Sequence, residues 1–502
     1  MRKILYITLS LGLLSSCDID LDQQPISEAS SETYFVTVND FTQGLNAVYS
    51  STRGYPDRLM NLSETRSDNL YAISDGGVRD WEGINSFHKT IDANPYVTEA
   101  WQTNYTGIFR ANNFLEQLQT KGENVIIDAD VRTQMEGEAR FLRAFYYFDL
   151  IRYFGQVPLI DHVVEAAEAK TIPRSAVAEV YNFIIQDLTQ SADMLPAKSE
   201  YEGAEKGRVS KHAAKMLLAL VYMTRSGPDL GVQGAGMNSG EWDQAAVLLN
   251  EIIASNEYQL LDSYSEIFDY AKERNDEVIF NIEYATGLTP VAGATFPWVL
   301  VPDTWFQSEG FATQGGLTIR PVSTDLLNTF EPDDIRKSFG IQQGYKNGTV
   351  VENRAFIKKF VDLNNVPTSS RMDWPINYIV FRYTDLLLLK AECVLNGAAG
   401  SVVNDVDVVV NKVRERAGIS DDLTDVSKEQ LLAERRREFI GEGVRWFDLI
   451  RSGTIEQTMS SWIEAEDGGR QMQSFNVNYV LYPVPQSELN TSPGLYEQNM
   501  GY

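Results

Sequence analysis

The chain is 502 residues long, 43% hydrophobic and 23% charged, a globular balance with room for a large core or roughly two to four ordinary domains. Its formal net charge of −27 and pI near 4.6 argue against nucleic acid or any partner held through phosphates, because such binding rests on clustered Lys and Arg. With 24 Tyr, 23 Phe and 8 Trp, a neutral ligand offering flat or apolar faces is easier to accommodate.

The first segment, "MRKILYITLSLGLLSSC", runs from Arg2 and Lys3 through an apolar stretch to small residues, the order of a secretory signal peptide. It is too short to span a bilayer as a permanent helix. Cleavage after Ser16 would leave Cys17 at the new N-terminus, in a context that looks like a bacterial lipobox. Residues 1–16 are therefore predicted to be a signal peptide, Cys17 the lipidated residue, and 17–30 an acidic, solvated tether. Several acyl chains on one Cys give stable anchoring. The other Cys, Cys393, lies in the apolar run "LLLLKAECVL" and reads as a core thiol without a disulfide partner.

Helical periodicity dominates residues 31–275. In "EGEARFLRAFYYFDLIRYFG" one apolar stripe runs through Phe141, Ala144, Phe145 and Phe148 and a second through Leu142, Tyr146, Leu150 and Tyr153; a helix apolar on two sides packs on two sides. Gly155 then marks its end. Further helices are predicted from Ser175 to Pro196, in "KHAAKMLLALVYM" and in "EWDQAAVLLNEIIAS". The last two, with paired Ala and Trp242, resemble a tetratricopeptide unit interrupted by a Gly-rich insert. "YTDLLLLKAECVLNG" with "DVDVVVNKVRERAGI" makes another helix pair. Units of this kind cannot bury their faces alone, so they should stack into an α-α superhelix. The predicted fold class is thus mainly α. Residues 276–502 form a second region, with loops at 280–380 and 455–502 rich in Gly, Pro, Thr and aromatics, and helices over 381–454. Together the two regions are expected to make one compact unit with a loop-rich face, where function tends to sit.

The three His are isolated in sequence, and no H-E-x-x-H, C-x-x-C, Walker A, G-x-S-x-G or EF-hand spacing occurs, so no metal, cofactor or nucleophile machinery is expected. A glycosidase pair of carboxylates is not excluded by composition. The dense "ERRREFIGEGVRWFDLIRSG" is read as structural: Glu434, Glu438 and Glu442 stand a helical turn apart and are expected to pair with Arg435, Arg436, Arg437 and Arg445. The string "FDLIR" occurs at Phe148–Arg152 and again at Phe447–Arg451. In each copy Asp and Arg stand three apart on a helical turn, so they can pair while Phe, Leu and Ile enter the core. Trp101, Trp242 and Trp446, on predicted helices, are also assigned to the core.

Taken in order, "GEARFLRAFYYFDLIRYFGQVPLI", "GRVSKHAAKMLLALVYM", "YIVFRYTDLLLLKAECVLN", "VNKVRERAGI", "ERRREFIGEGVRWFDLIRSG", "LYPVPQSELN" and "QNMGY" resemble the SusD/RagB family of outer-membrane nutrient-binding lipoproteins of the Bacteroidetes type. Met500 stands where that family usually has Pro. The resemblance implies a tetratricopeptide-like scaffold and a cell-surface lipoprotein. It also implies capture of an oligosaccharide, or a peptide on the RagB side of the family, for a SusC-like TonB-dependent transporter barrel. No catalysis is expected; a glycosidase or a protein-binding repeat scaffold are the remaining alternatives. "SETRSDNLYAISDGGVRDWEGINSF" resembles the family's N-terminal recognition segment. On it Asp68 and Asn85 are candidates to hydrogen-bond hydroxyls, Arg79 to donate in bidentate fashion, and Trp81 to stack on a sugar face. Trp298 and Trp305 are the stacking candidates in the second loop region.

Overall fold

Helices carry the architecture. The computed structural model describes residues 34–73, 79–234, 236–288, 291–313, 318–367, 372–399 and 406–502; the expected signal peptide, Cys17 and tether lie outside them. Helix α1 (Val38–Ser50) opens on a capping box in which Thr37 and Asp40 accept from each other's backbone N–H. Helix α2 (Pro95–Val125) starts from Asn94 as N-cap with Pro95 in its first turn. Helix α3 (Ala129–Phe154) starts from Asp128 and stops at Gly155, whose φ of +68° and close approach to the Gln233 carbonyl leave no room for a Cβ. Helices α4 (Val177–Met194), α5 (Lys211–Ser226) and α6 (Trp242–Ala254) follow.

These helices stack serially: α2 on α3, α3 on α4, α4 on α5, α5 on α6, and α6 on α7 (Tyr383–Leu395). This is the superhelix of repeated pairs expected from the sequence. Ala213, Ala214, Ala245 and Ala246 are all buried where α5 meets α6, the close approach that small residues permit. Helix α3 is buried all round from Phe141 to Phe154, which is why two apolar stripes were needed. Among the described residues no helix is long and apolar enough to cross a membrane.

The chain then continues through β1 (Val278–Ile282), the hairpin of β2 (Ile341–Asn347) and β3 (Val350–Ile357), and β4 (Tyr378–Arg382), which pairs antiparallel with β1. Helices α8 (Val406–Arg416), α9 (Lys428–Glu438), α10 (Arg445–Ser452) and α11 (Ile455–Glu466) complete the scaffold. Two stretches expected as loop are more ordered than that. Helix α11 buries Ile455, Met459 and Trp462 at i, i+4, i+7 spacing, a stripe masked by the prolines beyond it. The β2–β3 hairpin turns at Gly348-Thr349, with Gly348 at φ +60°, a Gly-X hairpin signal within 280–380. One continuous apolar core runs from Phe35 to Val484.

The Arg- and Glu-rich segment is structural, but its pairing differs from the local scheme expected. Arg437–Glu434 is an i, i+3 pair within α9. Glu438 instead accepts from Arg336, Arg382 and Arg416, and Glu442 from Arg382 and Lys359. Arg435 reaches Asp385 and Asp448, and Arg436 reaches Asp68 and Asp325. Both "FDLIR" copies make the expected internal pair, Asp149–Arg152 at 3.3 Å and Asp448–Arg451 at 2.7 Å. They also meet each other: the Arg152 guanidinium lies 4.1 Å from the centre of the Phe447 ring.

Candidate functional site

The two recognition regions named from the sequence come together on one face, joined through Val322. Leu70 and Val322 form an antiparallel bridge, Tyr71 N donates to Pro321 O at 2.9 Å, and Val322 N donates to Ala355 O on β3 at 2.8 Å. Extended segments 70–71, 320–322, β3 and β2 therefore lie edge to edge. Beneath this layer Arg320 donates to Asn61 Oδ1 and Thr65 Oγ1, both at 2.9 Å, and covers Trp81 at 4.4 Å from the ring centre. Burial lowers the Arg320 pKa to about 10 against the pull of Tyr96 and Asp57.

Five of the six expected ligand contacts are part of this wall rather than its surface. Asp68 is 1% exposed and is gripped by Arg445 at 2.9 and 2.8 Å, with Arg436 at 3.1 Å. Burial alone would raise its pKa; the two guanidinium groups outweigh that and hold it down at about 2. Asn85 is fully buried and staples a turn, accepting from Ala72 N at 2.9 Å and donating to Thr65 O and Leu70 O at 2.6 and 2.8 Å. Trp81 lies under Arg320. Trp298 donates to Asp303 Oδ1 at 2.9 Å and packs on Phe306 at 4.2 Å, and Trp305 packs edge-on to Phe356 at 5.4 Å. A stretch without helical stripes still has to bury apolar surface, and these indoles with Phe306, Phe356 and Trp374 do so. Arg79 is partly exposed, at 5.9 Å from the Trp81 ring centre, with its Nε unpaired.

The surface over that indole layer is polar and aromatic. In the short helix Asp303–Ser308, Trp305 and Phe306 point inward while Thr304 and Gln307 face out. Thr304 Oγ1 and Tyr345 OH share a 2.5 Å hydrogen bond; Gln307 donates to Thr313 Oγ1 at 2.9 Å and accepts from Asn347 at 3.2 Å. Tyr345 rests edge-on against Phe356 and is partly exposed, as is Phe311. Amides and hydroxyls of this kind exchange hydrogen bonds with ligand hydroxyls, and the rings offer stacking faces. None of these is among the residues expected from sequence; the outward i, i+3 positions flanking Trp305 and Phe306 and the glycine of the Gly348-Thr349 turn are the signals that point to them. Among the described residues no group of three His, Cys, Asp or Glu is placed to hold a metal.

At the seam between face and scaffold, Thr295 donates to Asp57 Oδ2 and Tyr284 OH donates to Arg53 O at 2.5 Å. Burial pushes the Asp57 carboxyl up to about 7, against the Thr295 hydrogen bond.

Helical repeats under a polar, aromatic face make this a binding protein by architecture. Residues 341–502 match the sequence pattern of the SusD family, and residues 21–223 match a pattern described as "Starch-binding associating with outer membrane". The chain belongs to the SusD family. It is 27% identical to SusD-like protein P38 of Formosa agariphila over 99% of this chain and 98% of that one. It is 25% identical to the starch-binding protein SusD of Bacteroides thetaiotaomicron, over 79% and 76% respectively. Among solved structures, a laminarin binding SusD-like protein superposes with a TM-score of 0.74 at 26% identity, covering 93% of this chain and 100% of that one. Surface glycan-binding protein A from Bacteroides thetaiotaomicron in complex with laminarihexaose shares the fold, with a TM-score of 0.77 at 24% identity over 93% and 100%.

Proposed function

We propose that this protein is a non-catalytic oligosaccharide-binding lipoprotein, anchored in the outer membrane through Cys17. In this reading it captures glycan on the loop-rich face and passes it to a SusC-like TonB-dependent transporter barrel. The observation that carries the reading is the surface made by Thr304, Gln307, Phe311, Tyr345 and Asn347, a neutral set of hydroxyls, amides and rings held on a rigid floor of buried indoles. Of the contacts expected from sequence, Arg79 is the one whose side chain stays partly exposed. The similarity to a laminarin binding protein points to the same class of ligand. Beside this surface the carboxylate of Glu352 is held by Arg354 at 2.7 Å, which disfavours acid–base work by that group.

Calorimetry on protein lacking residues 1–17, with laminarihexaose, a panel of other neutral oligosaccharides and a peptide pool, tests this. A glycan is expected to bind, and Tyr345→Ala and Gln307→Ala are each expected to weaken it roughly tenfold, about 1.4 kcal/mol. New reducing ends in the glycan would overturn the non-catalytic reading, and peptide binding without glycan binding would overturn the ligand class.

A further inference from the structure

Trp242, expected in the core from its place on a helix, packs against the core but only from its rim, with part of the indole left exposed. The other seven tryptophans are at most 5% exposed, and each has a ring or guanidinium neighbour. Trp242 packs against the core on one side and is partly exposed, with no ring or guanidinium stacked on it among the described residues. It lines a cavity of about 280 Å³ between the α5–α6 pair and the helices α7, α9 and α10, which shares no lining residue with the loop face. Such a volume lies at the lower end of small-molecule pockets, the size of one sugar ring.

The walls are tied together by hydrogen bonds and carry charges of both signs, Glu392 and Glu429 with Lys428, Arg435 and Arg451. The segment after α5 folds back on its own helix end, with Asn238 N donating to Gly227 O at 2.9 Å and Glu241 N to Ser226 Oγ at 2.7 Å. Gly227 sits so close to Arg451 O that an added Cβ would lie 3.0 Å away. Glu392 and Arg451 close on each other through two bonds of 2.7 Å, and Lys428 rests on Asn396 Oδ1 at 2.7 Å. A ligand charge competing for Glu392 or Arg451 would have to break that pair; a neutral ligand need not. The Asn238 amide makes no side-chain hydrogen bond and is exposed beside the indole.

We propose that the Trp242 cavity is a second saccharide site, separate from the loop face, which stacks one neutral sugar ring on the indole and hydrogen-bonds it through Asn238. The ligand class rests on the glycan-binding reading above; the site does not.

The test uses the folded chain lacking residues 1–17 and acrylamide quenching of its tryptophan emission. Because Trp242 is the accessible indole, Trp242→Phe should remove most of the quenchable signal. The probes are the methyl glycosides of glucose, galactose, mannose and xylose at saturating concentration. At least one is expected to lower the quenching constant about twofold, an effect lost in Asn238→Ala and retained in Tyr345→Ala. Should Trp242→Phe not fold, the wild-type and Asn238→Ala titrations still decide. Absence of protection by every glycoside overturns the proposal, as does protection that survives Asn238→Ala or disappears in Tyr345→Ala. Protection of Trp242 with no oligosaccharide bound at the loop face would leave this site standing and sink the placement of the other.

Discussion

Asp57 and Asp68 stand eleven positions apart, and burial acts on them with opposite results. Around Asp68 two guanidinium groups overcome desolvation and keep its pKa at about 2. Because that value lies below the ordinary 3.8, the ionised form contributes stability that is fully present above about pH 4 and is lost as pH falls through about 2. Asp68→Asn leaves Arg445 and Arg436 short of a partner in a closed site, and is expected to cost about 3–5 kcal/mol in denaturant unfolding at neutral pH. Asp57 has the reverse sign. Its pKa is pushed up to about 7, so the folded protein holds a proton that the unfolded chain gives up, and stability declines as pH rises from about 4 through 7. Asp57→Asn should remove that decline: the stability of the wild type relative to the variant falls across this interval and is flat above it. A difference that does not change between pH 4 and 8 would show that Asp57 ionises normally. From sequence both residues are simply acidic, because what separates them is burial left uncompensated at Asp57 and burial outweighed at Asp68 by Arg436 and Arg445, hundreds of positions away.

At the scale of elements, the scaffold was legible wherever periodicity ran uninterrupted. The double stripe of α3 forecast burial on all sides, and the paired alanines forecast the close contact of α5 with α6. Whether a tryptophan stacks on ligand was not legible. Trp305 is covered by Phe356 and Trp81 by Arg320, partners fixed only by long-range register. Trp242 shows the converse limit. It is the first residue of α6, and the fully buried stripe begins at Ala245, so its ring packs on the rim of the core and stays partly exposed. Close packing of the scaffold also has a specific pressure point. On α2, an added Cβ at Gly107 would meet the Tyr146 ring of α3 at 2.5 Å, and that ring is fixed by its hydroxyl bond to Val48 O. Gly107→Ala removes a flexible residue from a helix, a change that alone is stabilising, yet overpacking should dominate. A net loss of about 1–3 kcal/mol is expected in thermal unfolding, and an unchanged midpoint would mean that the two helices separate more easily than their contact suggests.

Over the whole molecule, the segment from Arg58 to Leu70 is held between the N-terminal helices and the C-terminal quarter of the chain. Arg58 reaches Asp149 at 3.1 Å. Glu64 accepts from the backbone N–H of Gly441 and Gly443, and Leu62 O accepts from Tyr482 OH. Arg66 donates to Tyr479 O and Tyr502 OH and lies 4.3 Å from the centre of the Tyr482 ring. Without the C-terminal region Asp68 would lose both guanidinium partners, Arg66 would keep only Ile84 O as acceptor and Glu64 only the Asn69 amide as donor, at a cost of several kcal/mol in all. The whole chain should therefore unfold in urea as one transition, with circular dichroism and tryptophan emission coincident. A fragment of residues 31–275 keeps most of α1 to α6 but loses every partner of those three side chains beyond its end. It is expected to retain helical signal without a cooperative transition; a sigmoidal, two-state unfolding curve for that fragment would mean that the N-terminal helices are a domain in their own right, and that the interlock is decoration on two independent units.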